Sequence, residues 1–312
     1  MKPASSVLLL TTLTGAGYGL LVWLGILDLA GAVPHAPAFG IVAILIGLAF
    51  AGGGLIASMA HLGRPERAWR AFSQWRSSWL SREGVASTLS FPPALGFAAL
   101  WFFEGATAPA TRILAALSLV MALVTVGCTA MIYASLIPIR QWHNRHTLPD
   151  YLIFSLFSGA VLLTAIMGVW QGHVILPGSI AAASGLAAIA AKSAYWRFID
   201  RQKPLATLAS ATSVRQFGAV RPLDQPHFSE NYILREMGFT IARKHAEKLR
   251  RIALAAGFIA PTILALVATL GLAAWLSGPL AALLALAGLF IERWLFFAEA
   301  THVSAIYYGR PV

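Results

Sequence analysis

The chain alternates between long apolar runs and short polar interruptions. Eight runs reach membrane length: residues 7–29, 38–60, 84–103, 113–137, 151–170, 174–194, 252–275 and 280–300. A run of about 20 apolar residues spans the hydrocarbon core of a bilayer. Its backbone polar groups find no water there and must be satisfied within the segment, so each run is predicted to be a helix. The expected fold is therefore all-α: a polytopic integral membrane protein of eight transmembrane helices forming a single membrane domain over 1–312. The polar stretch 195–251 is an insert expected to begin as a loop, because of Pro204, Pro222 and Pro226, and to become helical from Asn231 onward. The first run resembles an export signal, with Lys2 before it and Ala30-Gly31-Ala32 after it. It is too long for a signal core of about 7–15 residues, so it reads as a retained span.

Several local features refine this pattern. Gly52-Gly53-Gly54 inside the second run suggests close helix packing. Pro92-Pro93 is expected to kink the third, and Ser277-Gly278-Pro279 to turn the chain between the last two. Composition agrees with the membrane class: 58% of residues are hydrophobic and 11% charged, against about 25% charged in soluble domains. Mean hydropathy is +0.72. The net charge of +11 lies between the runs, where basic residues mark the cytoplasmic side of a membrane protein and offer a docking face, so nucleic-acid binding is set aside. Eight spans put both termini on one side. Lys2, Arg64, Arg67, Arg70, Arg76, Arg82, Arg140, Arg145 and Arg310 fall on that side even without the long insert, and Arg112 alone falls opposite, which predicts cytoplasmic termini.

The stretch Ala60–Glu83 is the most charged short segment between apolar runs. Five arginines and three tryptophans (Trp69, Trp75, Trp79) lie between His61 and Glu83, each at the end of a span. If α-helical, Ala68, Phe72, Trp75 and Trp79 share one face, as in an interfacial amphipathic helix. The last run carries Glu292 and Arg293 at membrane depth, then Glu299 on the face of Glu292, with His302 close to it. Intramembrane charges are functional hypotheses by default. Glu292 and Arg293 are adjacent and point about 100° apart on a helix of 3.6 residues per turn, so they are expected to meet other helices, either as an interhelical ion pair or as part of a proton path.

His61, Glu83, Glu299 and His302 lie near one set of span ends. With Arg64 and Trp79 they supply imidazole, carboxylate, cation and aromatic wall, the ingredients of a site for a lipid-soluble quinone, which exchanges protons along with electrons. Other readings remain open at this stage: a transporter, or a purely structural anchor. Haem is not expected, since every histidine sits at a span end or in a loop rather than facing another within the spans. No metal site is predicted; His143 and His146 have no further nearby ligand. The lone Cys128 excludes an internal disulfide and a four-thiolate iron–sulfur cluster.

The string Gly54–Ala68, with its HLG-x-P-x-RA element, and Ser78-Trp79-Leu80-Ser81-Arg82-Glu83 together resemble the dimethyl sulfoxide reductase anchor subunit family, over essentially the whole chain. The segment from Pro226-His227 through Ala242-Arg243-Lys244-His245-Ala246 is similar to the branch that anchors quinone-dependent sulfite dehydrogenase; it is an extra stretch relative to the dimethyl sulfoxide reductase anchor proper. The resemblance implies a haem-free subunit in the bacterial cytoplasmic membrane. Partner subunits would carry molybdopterin and iron–sulfur clusters, and this chain would exchange electrons with ubiquinone or menaquinone. It implies that His61 and Glu83 belong to the quinone site. Sulfite oxidation is the reaction it favours, with a menaquinol-oxidising dimethyl sulfoxide reductase complex as the alternative.

Overall fold

The computed structural model describes residues 3–60, 62–172, 174–202, 206–213, 216, 218, 220, 223–224 and 241–308, the side chains of 241–244 and 308 excepted. Among these residues there is no strand, and eight helices are long and apolar enough to cross a membrane. They are α1 (Ser5–Leu29), α2 (Pro37–Met59), α3 (Trp79–Phe103), α4 (Pro109–Ala134), α5 (Thr147–Gln171), α6 (Ile175–Asp200), the seventh crossing His245–Thr269, and the last helix Ala274–Ala298. The seventh crossing is built from α7 (Ile241–Leu254), a π-helical turn over Ala255–Ile259 and α8 (Ala260–Thr269); the last helix is α9. The turn of wider helix precedes Pro261, which lacks the N–H that a regular α-helix would use there.

α1 is the most buried of the eight. It packs against α2, α4, α5 and α9. Small residues let it approach so closely. A Cβ on Gly19 would run into the backbone of Ser155 on α5, and one on Gly159 would run into the backbone of Gly19. With no hydrophobic force between helices in lipid, such close contact and the dispersion it brings are a main source of association. Gly257 and Gly288 make a second backbone-to-backbone crossing, between the π-helical turn and α9. Of the triplet in α2, Gly54 alone meets α1, where a Cβ would lie 2.8 Å from Thr14 Cγ2.

α3 continues as one helix through Pro92 and Pro93. Other expectations are corrected by this fold. Ser277-Gly278-Pro279 is not a turn: it lies within α9, and the chain reverses earlier, at Gly271 (φ 74°) and Ala273 (φ 46°). The last two crossings therefore begin several residues before 252 and 280. The insert also begins later than 195, because α6 runs on to Asp200. Most of the insert, including 231–240 where a helix was expected to begin, lies outside the described residues.

The Gly19–Gly159 crossing admits no side chain, which gives a direct prediction. Gly159→Leu should destabilise the protein by at least about 2 kcal/mol, at the level of core overpacking. Gly127→Ala, where a Cβ meets nothing within 4 Å, should be neutral or raise the melting temperature. Thermal denaturation of both variants in detergent checks the contrast.

Candidate functional site

Glu83 lies near the start of α3, where Ser78 is the N-cap and accepts a hydrogen bond from the Ser81 amide at 3.4 Å. The glutamate side chain points into the bundle and is 5% exposed. Thr129 of α4 donates its hydroxyl to Glu83 Oε1 at 2.6 Å. Burying a carboxylate costs several kcal/mol unless it is compensated, so a bonded, buried glutamate at a helix start marks a specialised position.

The preceding segment is held over this helix end. Pro65–Gln74 is a 3-10 helix with Pro65 in its first turn, and it packs on α3, with the Phe72 ring against Gly84. This corrects the amphipathic α-helix expected for the segment. At three residues per turn, Ala68, Phe72, Trp75 and Trp79 do not form one stripe, and Trp79 belongs to α3. Arg82 fastens the join: its guanidinium stacks over Trp79 at 4.2 Å and donates to the Trp75 and Arg76 carbonyls at 2.9 and 2.7 Å. Arg70 and Arg76 stack over Trp69 and Trp75, and both tryptophans are largely exposed. These are amphipathic rings of the kind that settle at a membrane surface. Arg64 is exposed at the start of the 3-10 helix. His61 lies outside the described residues.

Behind Glu83, Thr129 also lines an internal cavity of about 20 Å³, room for a water molecule. Thr11, Thr14, Ser155 and Ser158 contribute to its walls together with the apolar Val126, Phe154 and Leu289, and Arg293 also lines it. Arg293 leads to a group of buried charges. Its Nε lies 2.9 Å from Glu292 Oε2, and Lys192 Nζ lies 2.5 Å from Glu292 Oε1. All three side chains are at most 4% exposed. Glu292 and Arg293 pair despite leaving the helix about 100° apart, because the long arginine stem folds back to reach the carboxylate. Glu292 also meets another helix, as expected, through Lys192 of α6. Aromatic faces complete the solvation of the cations. Arg293 lies 4.0 Å from the Tyr151 ring centroid and Lys192 lies 4.0 Å from that of Tyr195. Asp150, at the start of α5, is 5% exposed in the same region.

Glu299 and His302 belong to a different contact group. α9 ends at Ala298; Glu299, its C-cap, keeps helical backbone angles and bonds back to the Leu295 carbonyl, so it stays on the face of Glu292 two turns away, whereas His302 lies beyond the helix. Arg250 grips the Glu299 carboxylate with two bonds, from Nε at 2.9 Å and Nη2 at 3.0 Å. Its Nη1 reaches Asp200 Oδ2 at 2.8 Å. One guanidinium thus ties α6, α7 and α9 together. His302 Nδ1 is hydrogen-bonded within its own turn to Ser304, and the tail folds back on the α4–α5 loop, where Val303 donates to the Pro138 carbonyl and Gln141 bonds Thr301. Among the described residues, neither Glu299 nor His302 contacts Glu83 by a hydrogen bond or ion pair.

Sequence reasoning missed Thr129, Lys192, Asp150 and Arg250. Lys192 carried a legible signal: it follows the apolar run 174–191 with no break, and a lysine there needs a carboxylate partner. Lys192 lay inside the sixth run, 174–194, but was not singled out as a charge at membrane depth. Thr129 carried none, because a threonine bonding its own helix looks the same in sequence.

A family model for the dimethyl sulfoxide reductase anchor subunit (DmsC) matches residues 1–299. A sulfite dehydrogenase subunit from Allochromatium vinosum is 33% identical, with 99% of this chain and 99% of that protein covered. The anaerobic dimethyl sulfoxide reductase chain YnfH of Escherichia coli is 30% identical over 37% of this chain and 40% of its own length.

The charge group predicts an ordering of variants. Glu292→Gln leaves Lys192 and Arg293 buried without their shared anion and should cost about 3–5 kcal/mol, the usual penalty for stranding a buried charge. Lys192→Met retains the Glu292–Arg293 pair and should cost less. Melting temperatures of the two variants in detergent test the order; equal losses would contradict it.

Proposed function

Because the chain belongs to the dimethyl sulfoxide reductase anchor subunit (DmsC) family, we propose that it is the membrane anchor and quinone-reactive subunit of a molybdopterin oxidoreductase complex. The reaction served is sulfite oxidation. The match along nearly the full length of a sulfite dehydrogenase subunit supports this, whereas the dimethyl sulfoxide reductase relative aligns over little more than a third of the chain. An iron–sulfur subunit docks at the basic 64–82 segment, with the basic residues of the 192–251 stretch of the sequence contributing charge, and a molybdopterin subunit rests on it. The termini and these segments face the cytoplasm across the inner membrane, in keeping with their arginine content.

The observation that carries the reading is Glu83. It is a buried carboxylate at a helix start, beneath an arginine- and tryptophan-rich surface segment and hydrogen-bonded toward a polar interior. Those features fit a quinone headgroup entering from the membrane interface. Quinone, when bound, supplies a two-electron, two-proton redox couple. Glu83 holds and releases a proton at its carboxylate. Thr129 fixes the orientation of that carboxylate, and Arg82 locks the covering segment to α3, which limits water access. His61, at the other end of that segment, is the second proton-exchanging group. Arg64 and Trp79 are assigned to the surface side of this site. The bond from Thr129 and the small cavity behind it offer Glu83 an inward polar route that ends at Arg293 and Glu292. Glu299, held by Arg250, is assigned to joining helices, and His302 to anchoring the tail.

Replacing Glu83 by Gln keeps its volume and removes its proton exchange. In the assembled complex this should lower quinone reduction by about 100-fold, the scale of lost general acid–base assistance. Sulfite oxidation by an artificial soluble acceptor should be unaffected. Thr129→Val should give a smaller loss and His61→Ala one comparable to that of Glu83→Gln. Full quinone turnover in an intact Glu83→Gln complex would remove this residue from the mechanism.

A further inference from the structure

A second polar site opens at the same end of the bundle as Glu83, between the α4–α5 loop, the start of α5 and the end of α6. It is a concave space of about 570 Å³ whose lining includes Arg140, Arg145, Arg197 and Arg201, with His146 and Phe198 between them. Among the described residues, no carboxylate lies within ion-pair distance of Arg145, Arg197 or Arg201. The acid nearest in sequence, Asp200, is already held by Arg250 on another side of α6. The His146 ring packs on Phe198, and its buried Nε2 has no hydrogen-bond partner among the described residues. Several cations gathered around one concavity repel each other, and a buried nitrogen without a partner carries a desolvation cost. Both penalties fall when a multiply charged anion occupies the space.

The helix that bears the site shows where such an anion comes from. On α6, Ala183, Leu186, Ala187 and Ala190 are exposed and lie on one face, each three or four residues from its neighbours a turn away, with Leu186 62% exposed. In a membrane span these positions face lipid. The same stripe continues through Ala194 to Arg197 and Arg201. An apolar track along the hydrocarbon core therefore leads directly into a guanidinium cluster at the membrane surface.

We propose that this cavity binds the headgroup of an anionic phospholipid, best one with two phosphates, whose acyl chains lie along the exposed face of α6. The continuity of the site with the lipid-facing stripe of α6 favours a lipid over an acidic face of a partner protein. Guanidinium groups suit phosphate oxygens through paired N–H donors, and basic pockets at the membrane boundary select anionic headgroups.

The test uses the complex purified from membranes and stripped of lipid in detergent. Melting temperature is followed while cardiolipin, phosphatidylglycerol, phosphatidylcholine or inorganic phosphate is added. Cardiolipin should stabilise most, phosphatidylglycerol less, and phosphatidylcholine and inorganic phosphate should have no effect. In Arg197→Gln/Arg201→Gln the affinity for cardiolipin should fall roughly fivefold for each arginine removed. An undiminished cardiolipin response in this variant would overturn the proposal. So would stabilisation by inorganic phosphate alone, or loss of associated subunits from the variant with its lipid response intact. Should the variant fail to fold, a photoreactive anionic lipid on the unaltered complex decides. Cross-links within 194–202 support the site, and cross-links confined to other segments overturn it.

Discussion

Glu292 is the constraint around which the interior is arranged. A carboxylate with no solvent exposure is held in lipid by Lys192 from α6 and by Arg293 from its own helix. Each cation is in turn laid against aromatic faces. In a medium that solvates ions poorly, none of these side chains is tolerable alone. The pairing therefore dictates how α6 and α9 are rotated, and the ring cluster of Tyr133, Trp142, Tyr151, Phe296 and Phe297 packs around the result. Trp142 adds a hydrogen bond to the Phe296 carbonyl at 2.9 Å, which brings the α4–α5 loop down onto the end of α9.

The close glycine crossings serve the same end from the other direction. α1 approaches α5 backbone to backbone, and this places the threonines of α1 beside Thr129, Ser155 and Arg293 around one small polar cavity. Packing that depends on small residues brings several hydroxyls and Arg293 together in the bundle interior. Glu83 stands at one edge of that interior and the Glu292 group at the other. The proposed redox role uses this arrangement: the protons that accompany electrons need a buried carboxylate, and a buried carboxylate needs a bonded polar surround.

The surface at this end divides its arginines by partner. Arg70, Arg76 and Arg82 of the 64–82 segment stack on tryptophans, with Arg82 also capping backbone carbonyls, and Arg250 joins three helix ends through two carboxylates. Arg145, Arg197 and Arg201 face a cavity with no acid to meet them among the described residues. Identical side chains thus serve as interfacial anchors, as structural rivets and as an anion-binding set, according to what lies opposite.

Much of this was written in the order of residues. Eight long apolar runs require eight helices because lipid offers the backbone no other partner, and the positions of basic residues between runs indicate one charged end. Glu83 and the Glu292-Arg293 pair stood out because charge near or within a span is costly, and the HLG and S-x-L-S-x-E elements carried the family resemblance. What the order of residues did not contain was partnership. Whether Arg293 turns back to Glu292, that Lys192 lies beside it in space though a hundred residues away in sequence, that Thr129 rather than a residue of α9 bonds Glu83, and that Arg250 claims Glu299 all depend on helix rotation and crossing. Helix turns were misplaced for a related reason: Ser277-Gly278-Pro279 has turn composition, yet a proline near a helix start is accommodated where α5 packs against Gly278. Periodicity reports which residues share a helix. Only close packing between helices decides which charges and hydroxyls meet.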